Sequence, residues 1–68
     1  MKSITGKQFV KILVKNNWTL ARIKGSHYIY TKKGKTERIS VPIHGNKDLK
    51  TGLLKHFIKV AGLKEDDF

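Results

Sequence analysis

The chain has no cysteine and a single proline, and only five acidic side chains stand against fifteen lysines and arginines in its 68 residues. Without cysteine there is no disulfide and no thiolate metal site, and nothing in the composition calls for an oxidising compartment. No apolar run exceeds three residues, far short of the roughly 20 needed to span a bilayer. Met1 to Thr5 leads straight into a helix signal with no apolar signal-peptide core behind it, so the chain is expected in the cytoplasm with no membrane partner. No repeat, linker or low-complexity segment divides residues 1–68, which reads as one domain. A core of that size supplies only about 3–5 kcal/mol of net stability unless something staples it. No staple is visible, and a thin core often leans on a partner.

What the chain has in excess is positive charge. A net charge of +10 and a pI near 10.2 make the surface repel itself and attract polyanions: nucleic acid first, an acidic protein or anionic membrane less often. The hydrophobic content of 38% is enough for a globular fold. The imbalance therefore concerns partners.

Thr5-Gly6-Lys7-Gln8 reads as a capping box, with Ile4 and Phe9 at the positions of a hydrophobic staple. A helix is expected from Gly6 to Lys15 or Asn16. Phe9, Val10 and Leu13 are central to its apolar stripe, Ile12 and Val14 lie on its flanks, and Asn16-Asn17 closes it. Lys7, Lys11 and Lys15 stack on the opposite face at four-residue spacing, where like charges cost about 0.2–0.5 kcal/mol per pair. The ridge is either a solvated face or a phosphate-tracking one.

Residues 18–24 and 27–31 are rich in β-branched and aromatic side chains, and Gly25-Ser26 between them is a two-residue hairpin signal, because glycine takes the positive φ a primed turn requires. With that loop, Lys24 sits opposite His27, and Arg22, opposite Ile29, shares their face. Lys32-Lys33-Gly34-Lys35 is a second turn with three lysines at its tip. A third strand starts at Thr36 or Glu37 and ends at Pro42, with Ile39, Val41 and Ile43 alternating and the proline permitting only an edge or a terminus. After a polar connection, Thr51 is the expected N-cap of a second helix whose stripe is Leu53, Leu54, Phe57, Ile58 and Ala61 and whose C-terminal stop is Gly62. The acidic stretch after Leu63 is either a frayed tail or one more helical turn. The α-β-β-β-α order gives a two-layer α+β domain, two amphipathic helices on one face of a three-stranded antiparallel sheet, which is the layout of a double-stranded-RNA-binding domain.

Each of the three histidines has a plain structural reading beside a chemical one. His27 is either a strand residue with a polar tip or, leaving a tight turn among Lys24 and Arg22, a proton carrier beside phosphate-binding groups. His44 at a strand end is better read as a side chain satisfied by the next loop, and His56 as solvated. Three scattered histidines without cysteine offer no metal-ligand spacing, and no Gly-rich phosphate loop or Ser-His-Asp set is present. The economical enzyme on these residues needs no metal or other cofactor. RNA permits that, because its own 2′-hydroxyl is the nucleophile, and the protein need only move protons and stabilise charge on phosphorus. The rival from a different class is a non-catalytic RNA-binding module.

The runs Gly25-Ser26-His27-Tyr28-Ile29-Tyr30, Val41-Pro42-Ile43-His44, Lys50-Thr51-Gly52-Leu53-Leu54 and Val60-Ala61-Gly62-Leu63, with the opening helix ending at Trp18, resemble the HicA toxins, the YcfA/HicA-like family. The resemblance spans about residues 5–63. Asn17 stands where that family usually carries glycine, and Leu53 where it usually carries threonine. The resemblance implies a metal-independent mRNA interferase of a type II toxin–antitoxin pair, with a double-stranded-RNA-binding-like fold and one catalytic histidine, which falls on His27. It also implies a HicB antitoxin that covers that histidine in a hetero-oligomer. On this reading Arg22, Lys24 and Ser26 contact the scissile phosphate, and Lys7, Lys11, Lys32, Lys33 and Lys35 hold the rest of the RNA. The second proton carrier stays open among His44, a lysine and water.

Overall fold

Helix α1 (Gly6–Lys15) starts where the capping box requires. The Gln8 N–H donates to Thr5 Oγ1 at 3.1 Å, and the Thr5 N–H donates to Gln8 Oε1 at 3.0 Å. Phe9 and Leu13 are buried, Val10 and Ile12 partly so, and Val14 is 58% exposed. At 100° per residue Val10 and Ile12 stand about 80° from the mean direction of Phe9 and Leu13, and Val14 about 120°. Val14, expected on the flank of the stripe with Ile12, therefore lies beyond it. Asn16 ends the helix with its side-chain amide donating to the Ile12 carbonyl at 2.8 Å, and Asn17 takes the left-handed conformation at φ 72°. Asparagine tolerates that region better than other non-glycine residues, which is how it serves at this helix end.

The computed structural model describes residues 3–64, so the acidic stretch at 65–68 lies outside the described residues. After α1 come β1 (Thr19–Lys24), β2 (His27–Thr31), β3 (Ile39–Pro42) and α2 (Thr51–Ala61). The sheet is antiparallel in the order β1-β2-β3, and α1 and α2 pack on one face of it. Phe9, Leu13, Trp18, Tyr30, Ile39, Val41, Leu49, Leu54 and Phe57 lie in the core between the layers, with the Phe9 and Phe57 rings stacked at 5.5 Å. No helix among the described residues is long and apolar enough to cross a membrane.

Three boundaries differ from the sequence expectation. Trp18 precedes β1 and is buried, because a bulge at Ala21 separates the pairs Leu20↔Tyr30 and Arg22↔Ile29 and keeps Leu20 and Ile23 on the helix side. Strand β3 begins at Ile39, not at Thr36 or Glu37. The 32–35 turn sends the chain toward the end of α2, where Lys35 Nζ donates to the Val60 carbonyl at 3.1 Å, and residues 36–38 pair with no strand. Helix α2 is capped at Lys50, not Thr51, since the Leu54 N–H already donates to the Lys50 carbonyl at 2.9 Å. Its C-terminus closes as expected, with Gly62 left-handed at φ 67° and the Leu63 N–H donating to the Ile58 carbonyl.

The residues between β3 and α2 are held at both ends. The Ile43 N–H donates to the Ser26 carbonyl at 2.8 Å, Asp48 bridges Thr5, and the Leu49 N–H donates to the Ile4 carbonyl at 2.8 Å. The start of α1 consequently lies hard against the end of β3, and a Cβ on Gly6 would sit 2.7 Å from the Pro42 carbonyl oxygen and 3.0 Å from Ile43 Cγ1.

Gly6→Ala should therefore lower the urea midpoint by about 1–3 kcal/mol of stability, as overpacked substitutions do. Gly52→Ala, which meets nothing within 4 Å, should be neutral or stabilising by up to about 1 kcal/mol. Equal midpoints for the two variants would show that the helix–strand contact is looser than described.

Burial pushes the Tyr30 phenol above its usual range, and neighbouring Tyr28 adds to the rise. The phenol is neutral in both states below about pH 10, while above it the unfolded chain ionises first, so stability is lost as pH rises through the folded value. Tyr30→Phe should flatten that alkaline decline in thermal-melt series between pH 8 and pH 11.

Candidate active site

The hairpin that carries His27 closes in the fewest residues available. Gly25 sits at φ 60° and Ser26 stays at ordinary φ, the pattern of a II′ turn, whose twist matches the flanking strands. The register follows without slack: Lys24↔His27, Ile23↔Tyr28, Arg22↔Ile29. Since β2 is the central strand, each of its residues from His27 to Tyr30 has two lateral neighbours. His27 stands between Lys24 on β1 and Pro42 on β3, and Ile29 stands between Arg22 and Ser40.

These two rows occupy the sheet face that the helices leave open, because Tyr28, Tyr30, Ile39 and Val41 take the other face into the helix layer. His27, Lys24, Arg22 and Ser40 are exposed. His27 Nδ1 and Ser40 Oγ are 3.3 Å apart, the direction of the hydrogen bond depending on the imidazole tautomer. With Nδ1 so engaged, Nε2 is the ring nitrogen left to meet a ligand. Neither Arg22 nor Lys24 has an acidic partner among the described residues, so both cations face whatever approaches the imidazole. Ser26 belongs to the same corner, half-buried, its carbonyl held by Ile43.

The other lysines singled out from the sequence lie elsewhere. Lys7 and Lys11 are exposed on α1, in the layer on the far side of the sheet. Lys32, Lys33 and Lys35 follow the opposite end of β2, about 13 Å along the strand from His27, and Lys35 donates to the end of α2. His44 is exposed in the loop after β3, and His56 is exposed on α2 with its ring tilted against Phe57. Among the described residues no group of three or more His, Cys, Asp or Glu converges as a metal site would require.

Sequence reasoning missed Ser40 and Pro42. The signal was present: the alternation of Ile39 and Val41 turns Ser40 to the open face, and a short second connection would have paired it one step from the histidine.

The family model for the HicA toxin of bacterial toxin–antitoxin systems matches residues 6–63. The chain belongs to the HicA toxin family. Among solved structures it is similar to a chain of a HicA3 and HicB3 toxin–antitoxin complex, with 27% sequence identity, a TM-score of 0.66, and coverage of 87% of this chain and 94% of that one. No curated protein sequence matches. The HicA match encloses every residue of the two rows.

The His27–Ser40 contact makes a direct prediction for this HicA chain. In 15N spectra of the imidazole, Ser40→Ala should shift the Nδ1 resonance and increase tautomer exchange, and Ser40→Thr should restore the parent pattern. Unchanged histidine signals in Ser40→Ala would show that the contact is not formed in solution.

Proposed function

We propose that this HicA chain is an endoribonuclease that cuts mRNA in the cytoplasm without a metal ion, using His27 as its proton carrier, and that a HicB-like antitoxin silences it by covering that histidine. The observation that carries the reading is the exposed imidazole at the hairpin corner, beside Lys24 and tethered through Nδ1 to Ser40. The similarity to a chain from a toxin–antitoxin complex supports the partner.

His27 Nε2 takes the proton of the RNA 2′-hydroxyl, and the 2′-oxygen attacks the adjacent phosphorus. Lys24 and Arg22 stabilise the negative charge that builds on the non-bridging oxygens. The bond from phosphorus to the 5′-oxygen then breaks, and that oxygen leaves with a proton from the imidazolium or from water. The products are a 2′,3′-cyclic phosphate and a 5′-hydroxyl. Ser40 positions the ring: in the tautomer a general base requires, the Nδ1–H donates to Ser40 Oγ and the Nε2 lone pair faces the substrate. DNA lacks the 2′-hydroxyl and would not be cut.

The test compares the parent with His27→Ala on a single-stranded mRNA in excess EDTA, with fragment ends analysed. The expected result is cleavage by the parent alone, ending in cyclic phosphate or 3′-phosphate, a loss of at least about 100-fold in the variant, and RNA binding retained. Cleavage by the variant at the parent's rate removes His27 from the chemistry. Binding without cleavage by the parent makes the protein a non-catalytic RNA-binding module.

A further inference from the structure

Beyond the two rows, the described residues form a cleft of about 370 Å³ where β3 meets the loop into α2. That volume lies within the roughly 300–1,000 Å³ typical of small-ligand sites. Pro42, Leu49 and Leu53 contribute its apolar lining, and His44, Lys47, Lys50 and Asp48 its polar lining. We propose that this cleft binds the base adjacent to the phosphate at His27 and prefers a base bearing amino donors to uracil. The proposal rests on the ribonuclease reading and names where that site would acquire a sequence preference.

Its position follows from two contacts already described. Pro42 is the cross-strand neighbour of His27 on the open face, and the Ile43 N–H is bonded to the carbonyl of Ser26, the residue before the histidine. A single strand with one phosphate at His27 therefore passes over Pro42 into the cleft. The cleft is also preformed: the Lys47 N–H donates to the His44 carbonyl at 3.1 Å, Asp48 bridges Thr5, and buried Leu49 anchors the loop in the core. Little ordering entropy remains to oppose binding there.

Its chemistry suits a base better than a phosphate alone. The aliphatic surfaces of Pro42, Leu49 and Leu53 accept a flat apolar ring face, and Lys47 and Lys50 suit the phosphate attached to it. Asp48 would repel a lone phosphate. Its carboxylate has no ion-pair partner among the described residues and accepts hydrogen bonds only. Guanine offers it adjacent imino and amino donors, cytosine and adenine offer one amino group each, and uracil offers no amino group.

The test uses full-length His27→Ala protein, so that the RNA stays intact, titrated with single-stranded uridine hexamers that carry guanine, cytosine, adenine or uracil at one position. Amide resonances of Asp48, Lys50 and Leu53 should shift, and the guanine hexamer should bind at least about five-fold tighter than the all-uracil one. Asp48→Ala should erase that preference, whereas Lys47→Ala should weaken all four hexamers alike and reduce the salt dependence. The proposal is overturned if the cleft amides stay silent while those of Arg22 and Lys24 move, or if the preference survives in Asp48→Ala. It is equally overturned if the cleft responds only to an added antitoxin, which would make it a protein-docking groove. Failure of the ribonuclease reading shows separately, as a parent protein that binds RNA and leaves it uncut.

Discussion

The side of the molecule that carries His27 depends on a contact with no room for a side chain, the backbone of Gly6 against the Pro42 carbonyl. On one side of that contact the Thr5 cap starts α1, and Ile4 and Thr5 hold the loop that leads to α2. On the other side Pro42 ends β3 directly across from the histidine. The helix layer, the sheet and the connecting loop thus share one corner. Displacing α1 there would move the wall beside the imidazole and the floor of the neighbouring cleft together.

Strand alternation divides the labour. On β2, Tyr28 and Tyr30 turn to the helices while His27 and Ile29 turn away, and Val41 and Ile39 on β3 match them pair for pair. A slip of one residue would drive the imidazole inward and expose a buried tyrosine. The core therefore places the histidine more firmly than any contact the histidine makes itself. The charge acts in the opposite sense. Fifteen cations on 68 residues oppose compaction, and a bound polyanion relieves that repulsion while adding its own binding free energy to the folded state.

Much of this could be read from the chain because it is written in local chemistry. The Thr5–Gln8 reciprocal cap, the glycine turn before His27 and the left-handed stop at Gly62 each satisfy backbone groups within a few residues. A two-residue loop leaves only one register to choose. What escaped was set by distant partners. Helical periodicity identifies a stripe but not how much of its flanks another layer covers, so Ile12 and Val14 were both read as flanking, yet Ile12 is partly buried and Val14 is exposed. Lys50, with no side chain suited to capping, still begins α2 because the backbone, not the side chain, makes the first bond. The bulge at Ala21 was visible only as a change of parity, Trp18 and Leu20 in one phase and Ile23 in the other. Ser40 entered the site through the pairing of β3, a relation that no single segment displays.

Strand β1 has one further consequence. All six of its residues are exposed, it lies at the sheet's margin, and Leu20 and Ile23 point to the helix side without being covered. Such a margin is a template for another strand, and what blunts it is the kink at Ala21 and the cations Arg22 and Lys24. The first is geometric and permanent, but the second weakens as the Debye length contracts, to about 8 Å at physiological ionic strength and 3 Å in molar salt. Colloidal stability of the free chain is therefore tied to its ionic surroundings, and the positive charges on this strand keep one copy from adding its strand to the next.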